Sequence, residues 1–294
     1  MCYALITAAR NEEGYIDGTI RSVLSQSVPP VKWVIVSDGS TDSTEEIVSG
    51  YCAQNSFVEL VCLRRSKRPS GFAAKVEALR EGSKRLCGTG YEFIGILDAD
   101  LTFESDYYER VIEKFRNSKL GIAGGVIYEN YRGAFESRPS NRIYSVAGGI
   151  QLFRRECFEA IGGLNPVEVG GEDWLAEINA RMHGWEVRAF PELIVLHHKL
   201  SQKSTNLLKR ALHEGMMDYL LGSDPVFELF KCLGRIDERP FFINSAVRLA
   251  GFLSLFFSGR KRAVPGTVVD YLYREQTARV RARILGHVQD GWDF

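Results

Sequence analysis

Two carboxylates, Asp98 and Asp100, follow directly on the apolar run Phe93-Ile94-Gly95-Ile96-Leu97. Such a run reads as a strand covered on both faces. Ligands of open α/β sheets collect at the carboxyl ends of such strands. Residues two apart on a persisting strand point to the same side, so the pair repels itself unless a positive group stands beside it. A hard divalent cation that bridges phosphates, Mg2+ or Mn2+, meets that need. The plainer alternative is that both acids open the next helix as N-cap and first-turn residues. More groups able to do chemistry lie elsewhere: Asp38 in Ser37-Asp38-Gly39-Ser40-Thr41-Asp42, Glu172-Asp173 after Gly170-Gly171, and His197-His198 at the end of an apolar run.

Bringing these groups together requires strands that end at a common edge. Ala4–Ala9, Trp33–Val36, Val58–Leu63 and Phe93–Leu97 read as strands. Between them run helical patterns: Ile16, Ile20, Val23 and Leu24, then a helix from about Glu45, then one through Ala74, Ala78 and Leu79 with Lys75 near its start. This alternation predicts an α/β, doubly wound, mostly parallel sheet. Further on, Gly124-Gly125 and Gly148-Gly149 flank a stretch expected to be an irregular loop, and Gly148-Gly149 lets backbone approach a ligand closely. Glu172-Asp173-Trp174 opens a helix through Leu175, Ile178 and Met182, and Leu193–Leu196 is a last strand.

The totals narrow the class. The 294 residues hold 37 basic and 37 acidic side chains, so no global field suggests nucleic acid. Six scattered cysteines lack metal-ligand spacing and read as reduced, mostly buried thiols of a cytoplasmic protein. The start of the chain lacks the basic-then-apolar layout of a signal peptide.

Asn11-Glu12-Glu13, then Ser37-Asp38-Gly39-Ser40-Thr41-Asp42, then Asp98-Ala99-Asp100, then Glu172-Asp173, then His197 occur in an order that resembles glycosyltransferase family 2 on a GT-A fold. The resemblance covers roughly residues 3 to 200. Two departures stand out: Ser37 replaces the family's first Asp, and Glu77 stands where an Asn is common. The resemblance implies a GT-A catalytic domain over 1–200, with a nucleotide-binding half to about 100 and an acceptor half after it. It also implies inverting transfer of a sugar from a nucleotide-sugar, a UDP-sugar by family habit, to the hydroxyl of a saccharide or lipid-linked acceptor.

Under that resemblance Asp38 accepts a hydrogen bond from a base N–H. Thr7, Ala8, Arg10 and Glu12 line the same pocket, with Asp98 and Ala99 at the ribose and Lys75 at the donor. An Asx turn or N-cap is the ordinary alternative, and it suits Ser40 and Asp42 better than Asp38. Asp100 is the metal ligand, and His197 or His198 completes the shell. Adjacent strand residues face opposite ways, so only one of the two histidines reaches the ion, His197 being favoured. Asp173, with Glu172 beside it, is the general base, and Gly148, Gly149 and Trp174 belong to the acceptor side. Arg64, Arg65, Lys67 and Arg68 form a basic run that is either a solvated face or a phosphate contact. His183 and His213 receive no role.

From about Ser201 to the end, 201–294, the pattern becomes helical and basic. Phe241–Phe257 is apolar and aromatic, with Asn244, Arg248 and Gly251 on one stripe, and is short for a spanning helix. Residues 259–283 carry seven basic side chains against two acidic ones. Two readings stay open: a peripheral contact with an anionic membrane surface at the inner face of the cell membrane, or a cap packed on the catalytic domain or on another copy in a homo-oligomer. Two rival functions also remain, a nucleotidyltransferase that makes nucleotide-sugars and a non-catalytic nucleotide- or carbohydrate-binding protein. The first would need a glycine-rich loop after the first strand, which Ala8-Ala9-Arg10-Asn11-Glu12 is not.

Overall fold

The computed structural model describes residues 2–64, 72–131, 133–138, 140–167, 170–199, 207–235 and 242–285. Arg65, Lys67 and Arg68 of the basic run, Ser201 and Phe241 lie outside the described residues. The chain divides into two compact units: residues 1–166 with 172–201, and residues 167–171 with 202–294.

The first unit begins with β1 (Tyr3–Ala9), α1 (Ile16–Leu24), β2 (Lys32–Ser37), α2 (Thr44–Cys52), β3 (Val58–Cys62), α3 (Phe72–Lys84) and β4 (Phe93–Ile96). β1 pairs in parallel with β2 and β4, and β2 with β3. Leu5, Ile6, Trp33, Val34, Ile35 and Ile94 are fully buried, as continuous apolar strands covered on both faces require. The half that follows is mixed: β5 (Leu101–Phe103), α4 (Tyr107–Lys114), β6 (Leu120–Tyr131), β7 (Ala134–Ser137), β8 (Leu152–Arg154), α5 (Arg155–Ala160), α6 (Glu172–Met182) and β9 (Glu186–His197). The strand order is β3-β2-β1-β4-β8-β6-β9-β5, with β7 on β6. β8 runs antiparallel to both β4 and β6, while β6 and β9 are parallel.

The stretch after Gly124-Gly125 is not an irregular loop at its start. β6 continues through the two glycines to Tyr131 and turns back as β7. The β6–β9 register slips between Gly124 and Val126. A Cβ on Gly125 would collide with the Leu193 carbonyl, so the bulge needs glycine there. The thiols also differ from expectation: all six are free, but Cys2, Cys62 and Cys87 are exposed and only Cys157 and Cys232 are buried.

The second unit contains α7 (Leu207–Leu220), α8 (Pro225–Leu233), α9 (Ile243–Phe257) and α10 (Gly266–Ile284). α7 and α9 approach closely through Gly215 and Gly251, where a Cβ would strike the facing helix backbone at Arg248 and Leu212. The polar stripe of α9 turns inward: Arg248 is buried, with Nη1 2.6 Å from Glu214 Oε2 and Nη2 2.6 Å from Asp218 Oδ2.

Candidate active site

The strand that leads to the two aspartates ends earlier than its pattern suggests. β4 stops at Ile96, and Ala99-Asp100 is a turn into β5. Backbone bonds still guide the chain past the end: Leu97 N–H donates to Ile6 O (3.0 Å) and Asp98 N–H to Gly149 O (2.9 Å). The aspartates then take different partners. Asp98 Oδ1 lies 2.6 Å from Lys75 Nζ on α3. Burial alone would pull the Lys75 ammonium down, but Asp98, with Glu172 and Asp173 beyond it, raises its pKa. The cation beside Asp98 is therefore supplied by the chain itself.

Asp100 is buried at the other end of the turn, with His197 Nε2 3.1 Å from its Oδ2. Its Oδ1 is buried without a hydrogen-bond partner. The bond to Asp100 raises the pKa of His197, and Glu129 stands 4.0 Å from the other ring nitrogen. His198 takes the opposite side of the strand end. Its Nε2 is 2.7 Å from Thr102 Oγ1, and burial lowers its pKa.

Gly148-Gly149 lies in a short 3-10 turn, Gly148–Ile150, just before β8. A Cβ on Gly149 would lie 2.5 Å from Asp98 Oδ2, and one on Gly148 would lie 2.6 Å from Asp173 Oδ2. The glycines thus allow two carboxylates, from just past the end of β4 and from the first turn of α6, to meet one backbone turn. Asp173 Oδ1 accepts from Trp174 N–H at 2.8 Å, and Trp174 is half-buried. Glu172 is buried, its Oε2 has no partner, and burial raises its pKa.

Asp38 is buried at the end of β2, and its N–H donates to Ala9 O at 2.9 Å. The hydroxyls and Asp42 around it build the turn: Thr44 N–H donates to Asp42 Oδ1 (3.1 Å), and Ser40 N–H to Ser37 Oγ (3.3 Å). Ser37 Oγ also donates to Glu45 Oε1 at 2.7 Å. A carboxylate at position 37 would repel Glu45, which accounts physically for the serine there. Ala8 is half-buried and Arg10 exposed. The expectation for the Thr7 side chain is not met: it is fully buried, and its hydroxyl accepts from Trp33 Nε1–H at 3.0 Å. Arg64 pairs with Glu45 at 2.6 Å.

Several members of the site escape sequence reading. Lys199 Nζ donates to Glu12 Oε1 at 2.5 Å, and Glu12 Oε2 is buried with no partner. Burial raises the Glu12 pKa, with the Lys199 bond working against it. Glu177, one helical turn beyond Asp173, accepts from Val146 N–H (2.6 Å), Ser145 Oγ–H (3.3 Å) and Gln151 Nε2–H (3.3 Å). Burial pushes its pKa up to about 7. Its i, i+4 relation to Asp173 was the available signal. For Lys199 the signal was a cation two residues after His197.

A family model described as "Glycosyl transferase family 2" matches residues 4–171. A curated poly-beta-1,6-N-acetyl-D-glucosamine synthase of Staphylococcus epidermidis is 28% identical over 178 residues, 54% of this chain and 41% of that protein. The chain therefore spans about two fifths of that relative's length. The fold is similar to the mannosyltransferase PcManGT from Pyrobaculum calidifontis in complex with GDP-Man and Mn2+ (TM-score 0.55, 16% identity, 96% of this chain, 80% of that chain). It is similar also to S. aureus TarS 1-349 in complex with UDP-GlcNAc (TM-score 0.54, 17% identity, 88% and 73%). The sheet with flanking helices and C-terminal helices matches these GT-A structures.

Proposed function

The chain belongs to glycosyl transferase family 2, and from that premise we propose that it transfers a sugar, with inversion, from a nucleoside-diphosphate donor to an acceptor hydroxyl. The observation that carries the reading is the double-glycine turn, which seats Asp98 against Gly149 and Asp173 against Gly148. One carboxylate faces the donor side and the other the acceptor side of the same backbone.

In the reaction, the acceptor oxygen forms a bond to the anomeric carbon as that carbon's bond to the diphosphate oxygen breaks. The acceptor proton passes to the Asp173 carboxylate, and the electron pair leaves with the nucleoside diphosphate. Glu172 stands behind Asp173. Asp38 and the half-buried Ala8 line the base side. Asp98 keeps lone pairs for ribose hydroxyls beyond its bond to Lys75, next to Ala99. Lys75 offsets negative charge near the departing diphosphate. Trp174 and the glycine turn face the acceptor.

Asp100 and His197 fit a divalent ion such as Mn2+ or Mg2+: one carboxylate oxygen is buried with no partner, and an imidazole nitrogen stands beside the other. Among the described residues no group of three or more His, Cys, Asp or Glu is arranged to hold an ion alone. Mg2+ and Mn2+ are commonly held by one or two carboxylates together with substrate phosphates. When bound, it supplies Lewis-acid stabilisation of the leaving diphosphate.

A UDP-sugar donor is supported by the TarS complex with UDP-GlcNAc, and an N-acetylglucosamine sugar by the name of the curated relative. The same relative supports a saccharide acceptor in polysaccharide synthesis; a lipid-linked acceptor in glycolipid synthesis is the other acceptor we propose. The setting we propose is the cytoplasmic face of the cell membrane, with peripheral contact through the C-terminal unit. Among the described residues no helix is long and apolar enough to cross a membrane.

A thermal-shift panel of UDP, GDP, dTDP and CMP, each with and without Mn2+, tests the reading, because a ligand of the native state raises apparent stability. The expected result is strong stabilisation by UDP that requires Mn2+. Absence of any response would overturn the reading.

A further inference from the structure

Helix α9 has its polarity inverted. Its buried residues include Ser245, Arg248 and Gly251, while its exposed positions are apolar apart from Ser254. Ile243, Ala246, Ala250 and Phe257 recur at helical spacing and form one outward strip, with half-buried Leu253 along its edge. Over the helix's 15 residues the strip runs about 22 Å at 1.5 Å per residue. At its end Phe256 and Phe257 are 41% and 78% exposed, and Ile243 at the start is 53% exposed.

The stretch of chain that carries the strip has charge of one sign. Between Glu238 and Asp270 the sequence contains no carboxylate. Ser258-Gly259 turns the chain out of α9, and Arg260 and Lys261 follow, both exposed. The turn is fixed: Tyr219 Oη–H donates to Arg260 O at 2.6 Å, Ala263 N–H donates to Leu220 O at 2.8 Å, and the Arg262 guanidinium stacks 3.8 Å over the Tyr219 ring. Two aromatic rings and two cations are therefore held at one corner of the unit.

We propose that this face of the C-terminal unit docks on an anionic lipid bilayer, with Phe256 and Phe257 entering the interface and Arg260 and Lys261 at the phosphates. The proposal rests on the peripheral setting above and names the surface and the lipid charge. An apolar strip that ends in cations matches the lipid–headgroup boundary, where aromatic side chains and basic residues each find their own layer. A second copy of the chain is less well matched, because a two-fold contact through this corner would bring like charges together.

The test is co-sedimentation of the full chain with phosphatidylcholine vesicles and with vesicles containing about one-third phosphatidylglycerol. Binding to the anionic vesicles only is expected. Phe256→Ser/Phe257→Ser should weaken it roughly ten-fold or more, and Arg260→Glu/Lys261→Glu roughly five-fold or more with loss of salt sensitivity. Sugar transfer to a soluble acceptor should remain unchanged in both variants, which separates this proposal from the catalytic one. Equal vesicle binding by wild type and variants would overturn the surface while leaving a peripheral setting in place. No vesicle binding, or a dimer dissociated by the Phe variants, would overturn the proposal outright, the dimer in favour of a second copy as the occupant.

Discussion

Replacing Gly149 by alanine puts a methyl group into Asp98. The new Cβ would lie 2.5 Å from Oδ2 and 2.7 Å from Cγ of Asp98. An unstrained carbon–oxygen contact is about 3.3 Å, so the carboxylate must retreat by roughly 0.8 Å. Neither Gly149 nor Gly148 sits in the left-handed region, so alanine meets no backbone strain and the side-chain collision is the whole effect. Asp98 is tied to Lys75 at 2.6 Å, and its retreat disturbs that pair. Overpacking of this kind costs about 1–3 kcal/mol of stability. A misplacement near 1 Å costs up to about 100-fold in rate, so kcat/KM for the donor should fall roughly 10- to 100-fold. Gly148→Ala is the internal comparison, because its Cβ meets Asp173 at 2.6 Å from Oδ2. Steady-state kinetics with varied donor, alongside thermal shifts with UDP and Mn2+, should give distinct profiles. Gly149→Ala should raise donor KM and shrink the nucleotide-dependent shift, whereas Gly148→Ala should lower kcat and leave nucleotide binding intact. Identical profiles, or a Gly149→Ala protein with wild-type donor KM, would refute the division of roles between the two carboxylates.

Asp173→Asn should lower kcat by roughly 10²- to 10⁴-fold while nucleotide binding persists; near-full transfer would remove Asp173 as the base. Asp100→Ala should abolish the Mn2+-dependent UDP thermal shift together with metal-stimulated transfer, and chelation of metal from the wild type should do the same. Glu177 carries a pKa raised from 4.5 to about 7, so the unfolded chain releases this proton before the folded one does. Its contribution to stability is complete below about pH 4.5, falls by up to about 3 kcal/mol as pH rises to about 7, and is flat beyond. Glu177→Gln should remove that slope in urea midpoints compared at about pH 5 and about pH 7.5. Arg248→Met leaves Glu214, Asp218 and Glu228 without the guanidinium that lies within 3.4 Å of all three; a loss of about 3–5 kcal/mol is expected in chemical denaturation.

The parallel half of the sheet was legible because each strand is a short apolar run and each crossover helix keeps its own period. The second half was less so. β6 carries Gly124-Gly125 in its middle, a pattern that normally marks a break, and only the pairing with β9 shows that the glycines make a bulge inside a strand of 12 residues. The orientation of α9 was legible only in part. Asn244, Arg248 and Gly251 mark one stripe, but whether it faces water depends on partners 20 to 34 residues away, namely Glu214, Asp218 and Glu228. Thr7 illustrates the same limit at close range: a hydroxyl at a strand end resembles a ligand contact until Trp33 is seen to claim it. The Lys199–Glu12 pair spans 187 positions, and no local pattern encodes it.

The Asp98–Asp100 spacing carries the broader lesson about such pairs. Two carboxylates two residues apart pose a repulsion problem, and a shared cation is the economical solution when the strand persists. Here the strand yields after Ile96, and the turn at Ala99-Asp100 sends the two groups to different neighbours. Lys75, held on α3, neutralises Asp98; His197, at the end of β9, faces Asp100. The repulsion is thus relieved twice, by two side chains on two elements. That leaves Asp100 with an unpartnered buried oxygen and Asp98 with a permanent positive neighbour, which is why we propose the ion at the second aspartate and the ribose at the first. Lys75 also faces Glu172 and Asp173 electrostatically, so Asp98 and Asp173 share one fixed positive charge.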